Sequence, residues 1–395
     1  MPAVGPWTQA AAAVLPRMRA WRHAIHREPE LAYSERRTAR SIGEALASIG
    51  IASRRIRGTT GVVGTIGVGR RGPVVALRAD MDALPVEERT RSSFRSRRPG
   101  RMHACGHDVH MACLLGAAAI LKEREARLGG PIRLIFQPAE EEGERGGAQM
   151  MLERGAFEGP PVDFVVGQHV DPSLPLGRIG WRVGPVMAAS DHLVIRVHGR
   201  GGHAAFPHRG PDAIVIAAEI VNGLQAIVSR ARDPLEPVVV SVGMIHGGTT
   251  HNILPESVVL EGTVRTLATR TRAEVQRQIV RRVRHICESL GGRGEVVFRR
   301  GYPITANPAG STRRVVGALR REFGPHRLVE LPRPMMGSED FSRYLERVPG
   351  SFLFLGVGIG SSSPPLHSPR FLPPDSSLTL GAALLATAAE GLQNP

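Results

Sequence analysis

The sequence predicts an α/β protein: a main domain with a mostly parallel sheet flanked by helices, interrupted by an inserted two-layer βαββαβ unit of ferredoxin-like order. Three observations carry this reading. Four short runs, "PVVALRA" (73–79), "PIRLIFQ" (131–137), "VDFVVGQ" (162–168) and "SFLFLGV" (351–357), are apolar almost throughout. Strands that lack alternation are those covered on both faces by helices. Helical segments separate these runs. From 191 to 299 the pattern changes to alternating strands with two helices between them, the order of a small unit with its own core.

The elements follow from local signals. Ser34 is the N-cap candidate for a helix over 35–48. A second helix, starting near His110 and covering 111–128, is stopped by Gly129-Gly130-Pro131, and a third amphipathic segment covers 312–323. In the inserted unit the order is "HLVIRVHG", a helix over 211–230, "PVVVSVGMI", "SVVLEGTVRT", a helix over 271–290 and "GEVVFRR". "GSSSPPLHSPRFLPP" (360–374) reads as a loop, too short to link domains.

Composition narrows the function classes. The chain has 395 residues, 42% hydrophobic and 22% charged, enough for two or three domains and unlike a disordered chain. No stretch of 18 apolar residues occurs, so no membrane span is expected. The first twenty residues lack a basic segment ahead of their apolar patch, the wrong order for a secretory signal. Three cysteines, Cys105, Cys113 and Cys287, are too few for a disulfide framework and point to a reducing cytoplasm. The net charge of +15 invites a nucleic-acid reading. Lys122 is the only lysine, however, so the excess is a scatter of arginines with 4% aromatics and no stacking platform. No nucleic-acid partner is expected, whereas anionic small molecules suit the charge.

The chemistry gathers just beyond the buried runs. Asp80 and Asp82 follow the first, Glu140, Glu141 and Glu142 the second, His169 the third, and His367 lies in the loop after the fourth. Open parallel sheets bind ligands at the carboxyl ends of their strands. Polar residues commonly follow strands, but four ends delivering imidazoles and carboxylates describe a site. "MHACGHDVHM" (102–111) adds Cys105 and His107, two residues apart and able to point the same way in an extended or looped segment. At the mouth of a helix the macrodipole favours a thiolate. Cys113 and Cys287 read as ordinary buried cysteines. Thiolate, imidazole and carboxylate together suit zinc, cobalt, nickel or manganese, and five candidate ligands exceed the need of one catalytic ion. Two divalent ions fit better.

These motifs, with "RADMDALP", "FQPAEEEGERGGAQMM", "GRGGHAAFPH", "HNILPES" and "MMGSEDFS", resemble the aminoacylase and hippurate hydrolase family of metallo-amidohydrolases, close to the plant auxin-conjugate hydrolases. The resemblance covers nearly the whole chain in order. It implies a catalytic domain from 1–187 and 303–395 and a lid from 188–302 through which a homodimer or larger homo-oligomer forms. It implies hydrolysis of the amide of N-acyl amino acids, with a metallo-dipeptidase or carboxypeptidase as the alternative. Cys105, His107, Glu141, His169 and His367 match the metal ligands, Glu140 the general base and Asp82 an acidic residue beside the metals. His203 matches a donor to the developing oxyanion, and Asn252 is a weaker candidate for substrate contact. The run of three glutamates leaves Glu142 a competitor for the ligand role. His103 and His110 have no ligand role in the family, and "GSED" (337–340) reads as an N-cap at Ser338 followed by acidic first-turn residues, with lining of the pocket as the other reading.

Overall fold

The computed structural model describes residues 5–360 and 363–394; Ser361 and Ser362 of the 360–374 loop lie outside the described residues. The main domain opens with helices α1 (Pro6–Arg27) and α2 (Arg36–Ser48). Strands β1 (Val62–Ile66) and β2 (Val75–Asp80), helix α3 (His107–Glu123), strand β3 (Ile132–Gln137), helix α4 (Gly146–Glu153) and strand β4 (Phe164–Pro175) follow. The inserted lid contains β5 (Ala189–His198), α5 (Ala213–Arg230), β6 (Val238–His246), β7 (Ser257–Thr266), α6 (Thr269–Ser289) and β8 (Arg293–Arg300). The chain returns to the main domain with α7 (Ala309–Phe323), β9 (Gly350–Gly358) and α8 (Ser377–Gln393).

The main sheet has eight strands in the order 53–55, β1, β3, β2, β4, β9, 179–181, 328–330. Its centre is parallel: β2 pairs with β3 and β4, and β4 with β9. Every residue of β2, β3 and β9 is buried, which is why these runs show no alternation. Helices α3 and α8 are buried almost all round because α1 and α7 cover them. In the lid, β6, β7, β5 and β8 form an antiparallel sheet in that order. Both lid helices lie on it around Ile195, Ile220, Leu260 and Ile279. Helix α5 is long and apolar enough to cross a membrane by length and composition; its Ile216, Ile220, Leu224 and Ile227 belong to this lid core.

Several boundaries differ from the sequence expectation. Helix α3 starts at His107 instead of near His110, because Gly106 takes a left-handed φ of 85° and turns the chain directly into it. A Cβ at Gly106 would lie 2.5 Å from Val170 Cγ2, so glycine also lets this turn press against β4. Ser34 does not cap α2; Glu35 precedes the helix without a side-chain cap, its carboxylate turned inward to Thr60 and the Ala139 amide. Helix α7 starts three residues earlier than expected, and α5 begins after Asp212, whose side chain caps Ile214 and Val215. His169 sits inside β4 instead of beyond it. The ladder between β2 and β4 ends at Arg78 and Gly167, so His169 stands level with Asp80, the last residue of β2, at the carboxyl edge of its neighbour.

A buried ionic network holds α1 against the start of α3. Arg22, fully buried, donates to Asp108 (2.9 Å) and to Asp375 ahead of α8 (2.6 Å). His26 meets Asp108 at Nδ1 (2.9 Å) and Glu88 at Nε2 (3.3 Å). Burial pulls the imidazolium down, but Asp108 and Glu88 outweigh it and raise His26 from 6.5 to about 9. A value raised on folding contributes stability that is complete below pH 6.5 and fades as pH climbs through about 9. His26→Gln should therefore cost roughly 3 kcal/mol near pH 6, and less near pH 10. Urea unfolding at pH 6, 8 and 10 measures this; a pH-independent difference would show that His26 is not a cation in the folded chain.

Candidate metal centre and active-site cleft

The turn before α3, the turn after β3, the middle of β4 and the loop after β9 converge at the carboxyl edge of the sheet. His107 Nδ1 donates to the Asp82 carbonyl (2.8 Å), which turns Nε2 toward the donor set, where it has no hydrogen-bond partner. His169 is oriented in the same way: Nδ1 donates to the Val170 carbonyl (2.8 Å), and Nε2 lies 3.3 Å from Cys105 Sγ. His367 Nε2 is 3.3 Å from Glu141 Oε1, and its main-chain N–H donates to the Ala104 carbonyl (2.9 Å), tying its loop to the cysteine turn. Three overlapping groups result: Cys105, His107 and His169; Cys105, Glu141 and His367; His107, Glu140 and Glu141. In each, the donor atoms lie within 4.8 Å of one another. Because the groups share Cys105, His107 and Glu141, the arrangement accommodates two cations side by side.

The electrostatics point the same way. Burial pushes the Cys105 thiol well up, and Glu141 and Glu140 add to it. The helix dipole expected to favour a thiolate is therefore outweighed by neighbouring carboxylates. Burial, followed by Glu339 and Glu141, also pushes Glu140 well above the usual carboxylate range. Burial opposes the His107 cation, yet Asp80 and Asp82 raise it to about 10. This is the signature of excess negative charge. A divalent ion inverts the local field, favouring the thiolate, the carboxylates and neutral imidazoles. The sulfur, nitrogen and oxygen donors suit a divalent transition ion.

The turn carrying Glu140 is held from both sides. The Glu140 and Glu141 amides donate to the two Asp82 carboxylate oxygens (3.0 and 2.9 Å), so Asp82 anchors the turn through its backbone. The Glu140 carbonyl accepts from the buried Tyr302 hydroxyl (2.5 Å), which in turn accepts from the Gly143 amide (2.8 Å). Ala139 just before it has a φ of 54°, and His367 one of 66°, two of only three non-glycine residues with positive φ among those described. Such strain is kept where surrounding bonds over-determine the backbone. Glu142 is drawn away: its Oε2 accepts from the amides of Glu144, Arg145 and Gly146 ahead of α4, and it joins none of the donor groups.

Beneath the turn lies a charge network that the motifs did not disclose. Arg78, buried in β2, donates to Asp80 (2.6 Å), Glu339 (2.9 Å), Asp340 (2.8 Å) and Gln137 (2.9 Å). The N-cap reading of "GSED" is thus corrected. The short helix there starts only at Ser342, Glu339 and Asp340 turn inward to neutralise Arg78, and the Ser338 hydroxyl accepts from Arg265 (2.7 Å). His110 is also part of this floor, with Nδ1 on Asp80 (2.6 Å) and Nε2 accepting from the Val170 amide (2.9 Å). His103 is buried nearby, 6.1 Å ring to ring from His26.

A cleft of about 400 Å³ opens above the donors, with Val170, Phe354, Met335 and Leu366 among its apolar walls. Arg265, on lid strand β7, faces it. Its guanidinium bonds the hydroxyls of Thr263 (2.9 Å) and Ser338, and no carboxylate pairs with it among the described residues. His203 and Asn252 are not in this cleft. They sit together on an exposed two-stranded ribbon of the lid, where Ile253 pairs with His203 and the Ala204 amide donates to the Asn252 carbonyl (3.0 Å).

The sequence pattern of the peptidase family M20/M25/M40 matches residues 76–391. The chain belongs to this family. Among curated relatives, it is 44% identical to an N-acyl-L-amino acid amidohydrolase of Geobacillus stearothermophilus, over 78% of this chain and 83% of that one. It is 43% identical to thermostable carboxypeptidase 2 of Saccharolobus solfataricus, over 92% and 93%. A crystal structure of the Bacillus subtilis YXEP protein, described as a dinuclear metal-binding peptidase from family M20, superposes with a TM-score of 0.83 at 33% identity, covering 96% of this chain and 98% of that one. Family membership and the donor groups together make this M20 chain a metal-dependent hydrolase of amide bonds with a site for two divalent ions.

The two adjacent glutamates are separable by experiment. Glu140→Gln should keep both metals and lose at least about a hundredfold in turnover, since an amide cannot carry a proton. Glu141→Gln should lose metal. Metal analysis alongside activity checks both; the opposite pattern would exchange their roles.

Proposed function

We propose that the protein hydrolyses the amide bond of N-acyl amino acids, releasing a carboxylic acid and the free amino acid. The observation that carries this reading is Arg265: a half-buried guanidinium without a carboxylate partner faces a cleft floored by a dinuclear donor set. It suits a substrate with a carboxylate on the amine side of the scissile bond. A C-terminal peptide bond presents the same two features, so carboxypeptidase action, the named activity of the Saccharolobus relative, is the second reading.

In this reading residues 1–187 and 303–395 form the catalytic domain and 188–302 the lid. Cys105, His107, Glu141, His169 and His367 hold two ions from among manganese, zinc, cobalt and nickel. Such ions supply Lewis acidity and make a water molecule acidic near neutral pH. Glu140 accepts the proton of the attacking water and returns it to the leaving nitrogen, while Asp82 fixes the turn that aims it. The walls of Val170, Phe354 and Leu366 exclude water from the acyl side. Cys105 is a ligand only while reduced, and all three cysteines are free and buried, which supports a cytoplasmic setting.

His203 lies outside the cleft of its own chain, and we infer that a second copy brings it in. Strand β6 is one of the two edges of the lid sheet and presents Met244 and Ile245 to solvent, a surface suited to pairing with the same edge of a partner lid. The partner's lid would then deliver His203 as donor to the developing oxyanion, with Asn252 beside it.

Metal-loaded enzyme should turn over a panel of N-acyl amino acids, and Arg265→Gln should raise KM about tenfold or more for these acids but not for their carboxamides. Failure to cleave any N-acyl amino acid or peptide with each metal in turn would end the proposal. Mixed His203→Ala and Glu140→Gln chains, each inactive alone, should regain part of the activity. No recovery after proven subunit exchange would place His203 in its own chain's site.

A further inference from the structure

The lid joins the main domain through two crossings, near residues 187–190 and 301–304, and these are braced against each other. The Ser190 amide donates to the Tyr302 carbonyl (3.0 Å), the Gly301 amide to the Ser190 carbonyl (3.1 Å), and the Tyr302 amide to Ser190 Oγ (3.1 Å). Lid helix α6 grips the same point: Arg272 donates to the Ser190 carbonyl (3.1 Å) and twice to Asp191 (2.6 and 2.9 Å). From this brace the Tyr302 side chain, 2% exposed, reaches into the main domain and bonds the carbonyl of Glu140 and the amide of Gly143. Gly301 adds a steric link. A Cβ there would lie 2.6 Å from the Gly143 carbonyl, so the crossing and the glutamate turn are in direct contact.

A buried tyrosine hydroxyl bonded to backbone is ordinarily a satisfied core group and nothing more. Here the two bonds bracket one turn. Asp82 holds the amides of Glu140 and Glu141 from the main domain, while Tyr302 holds the remaining carbonyl of Glu140 and the amide of Gly143 from the lid crossing. Ala139 and Gly143, both left-handed, flank the turn and mark where its backbone changes direction. Of these four bonds only the second pair runs to the lid crossing, so it is the pair through which the placement of the lid bears on Glu140.

Resting on the reading of Glu140 as general base, we propose that Tyr302 is a positioning residue that transmits the orientation of the lid to that base. The chain of contact runs from Arg272 through Ser190 and Tyr302 to the Glu140 carbonyl. Turnover is therefore tied to lid position through one phenol, without any change in the metal donors. Small displacements of a reacting group have large kinetic effects, which makes this link consequential.

The test uses Tyr302→Phe, which keeps the ring and removes both hydroxyl bonds, and Ser190→Ala, which loosens the brace and leaves the hydroxyl. Both should keep two metals per chain. In cobalt-loaded protein without substrate, amide exchange at 140–146 should speed up in both variants, more in Tyr302→Phe. With an N-acyl amino acid, kcat should fall about tenfold or more in Tyr302→Phe and by less in Ser190→Ala, with KM within about twofold in each. Unchanged kcat in Tyr302→Phe overturns the proposal. So does a loss in Tyr302→Phe with wild-type exchange and kcat in Ser190→Ala, since the hydroxyl would then be local support unconnected to the lid. If Tyr302→Phe does not fold, Ser190→Ala decides alone by the same readouts. Should wild-type protein cleave no N-acyl amino acid, the functional reading fails separately, and the exchange measurement still reports on the coupling.

Discussion

Arg78 is the interaction on which the site rests. A guanidinium in the middle of a fully buried central strand is stable only if its charge and its donors are met. Asp80, Glu339, Asp340 and Gln137 meet them. The four partners come from three places: Asp80 from the end of β2, Glu339 and Asp340 from the loop ahead of β9, and Gln137 from the end of β3. Satisfying one arginine therefore fixes the heights of the segments that end at the cleft. Asp340 extends the network by accepting from the Ala148 amide of α4, and Asp80 extends it to His110. The floor is rigid because no member can move without leaving a buried charge unpaired.

The same network explains why the site wants cations. Asp80, Asp82, Glu140, Glu141, Glu339 and Asp340 are close together, and among the described residues Arg78 is the one guanidinium buried among them. Protons answer this excess: burial and neighbouring charge hold Glu140 far above the ordinary carboxylate range, and His107 is driven to about 10. Divalent ions relieve it instead by replacing those protons. The left-handed backbone at Ala139 and His367 belongs to this design, since a donor set converging from four segments leaves little choice of torsion angle at the points where the chain must turn.

Much of this was legible in the sequence because the signals were local. Buried strands announce themselves by unbroken apolar runs, and a cysteine between histidines announces a ligand turn. What stayed hidden depends on contacts distant along the chain. Arg78 reads as one polar residue in a strand, and only the fold shows that Glu339 and Asp340, 261 and 262 positions away, are its partners. That is why "GSED" looked like a helix cap. Arg265 alternates innocently along β7, and its exposure to the cleft depends on how the lid is seated. Tyr302 carries no motif at all; its importance comes from standing at a domain crossing. The start of α3 was misplaced for a different reason: a left-handed glycine opened the helix without the side-chain cap that sequence reading looks for.

The division of labour between the two domains follows from what each can hold rigidly. All the candidate metal donors lie on the main domain, above the Arg78 network. The lid contributes Arg265 to the cleft and His203 to an exposed ribbon, and neither is fixed by that network. A site assembled this way is complete only when the lid is correctly placed, which separates binding of the ions from readiness for chemistry. Contacts that cross between the domains then decide how strictly the two are coupled. Tyr302 is one, Arg265 on the Ser338 hydroxyl is another, and a third is His192 of β5, which lies between Glu144, two residues beyond the glutamate run, and Glu261 on the neighbouring lid strand (3.2 and 2.9 Å). Tyr302 and His192 reach the same turn of the main domain, one at its carbonyl and one just past its end. In the proposed reading, a lid tied by the Tyr302 hydroxyl to the turn that carries Glu140, and by Arg265 to a carboxylate-bearing substrate, would sense that substrate and align the general base in one movement.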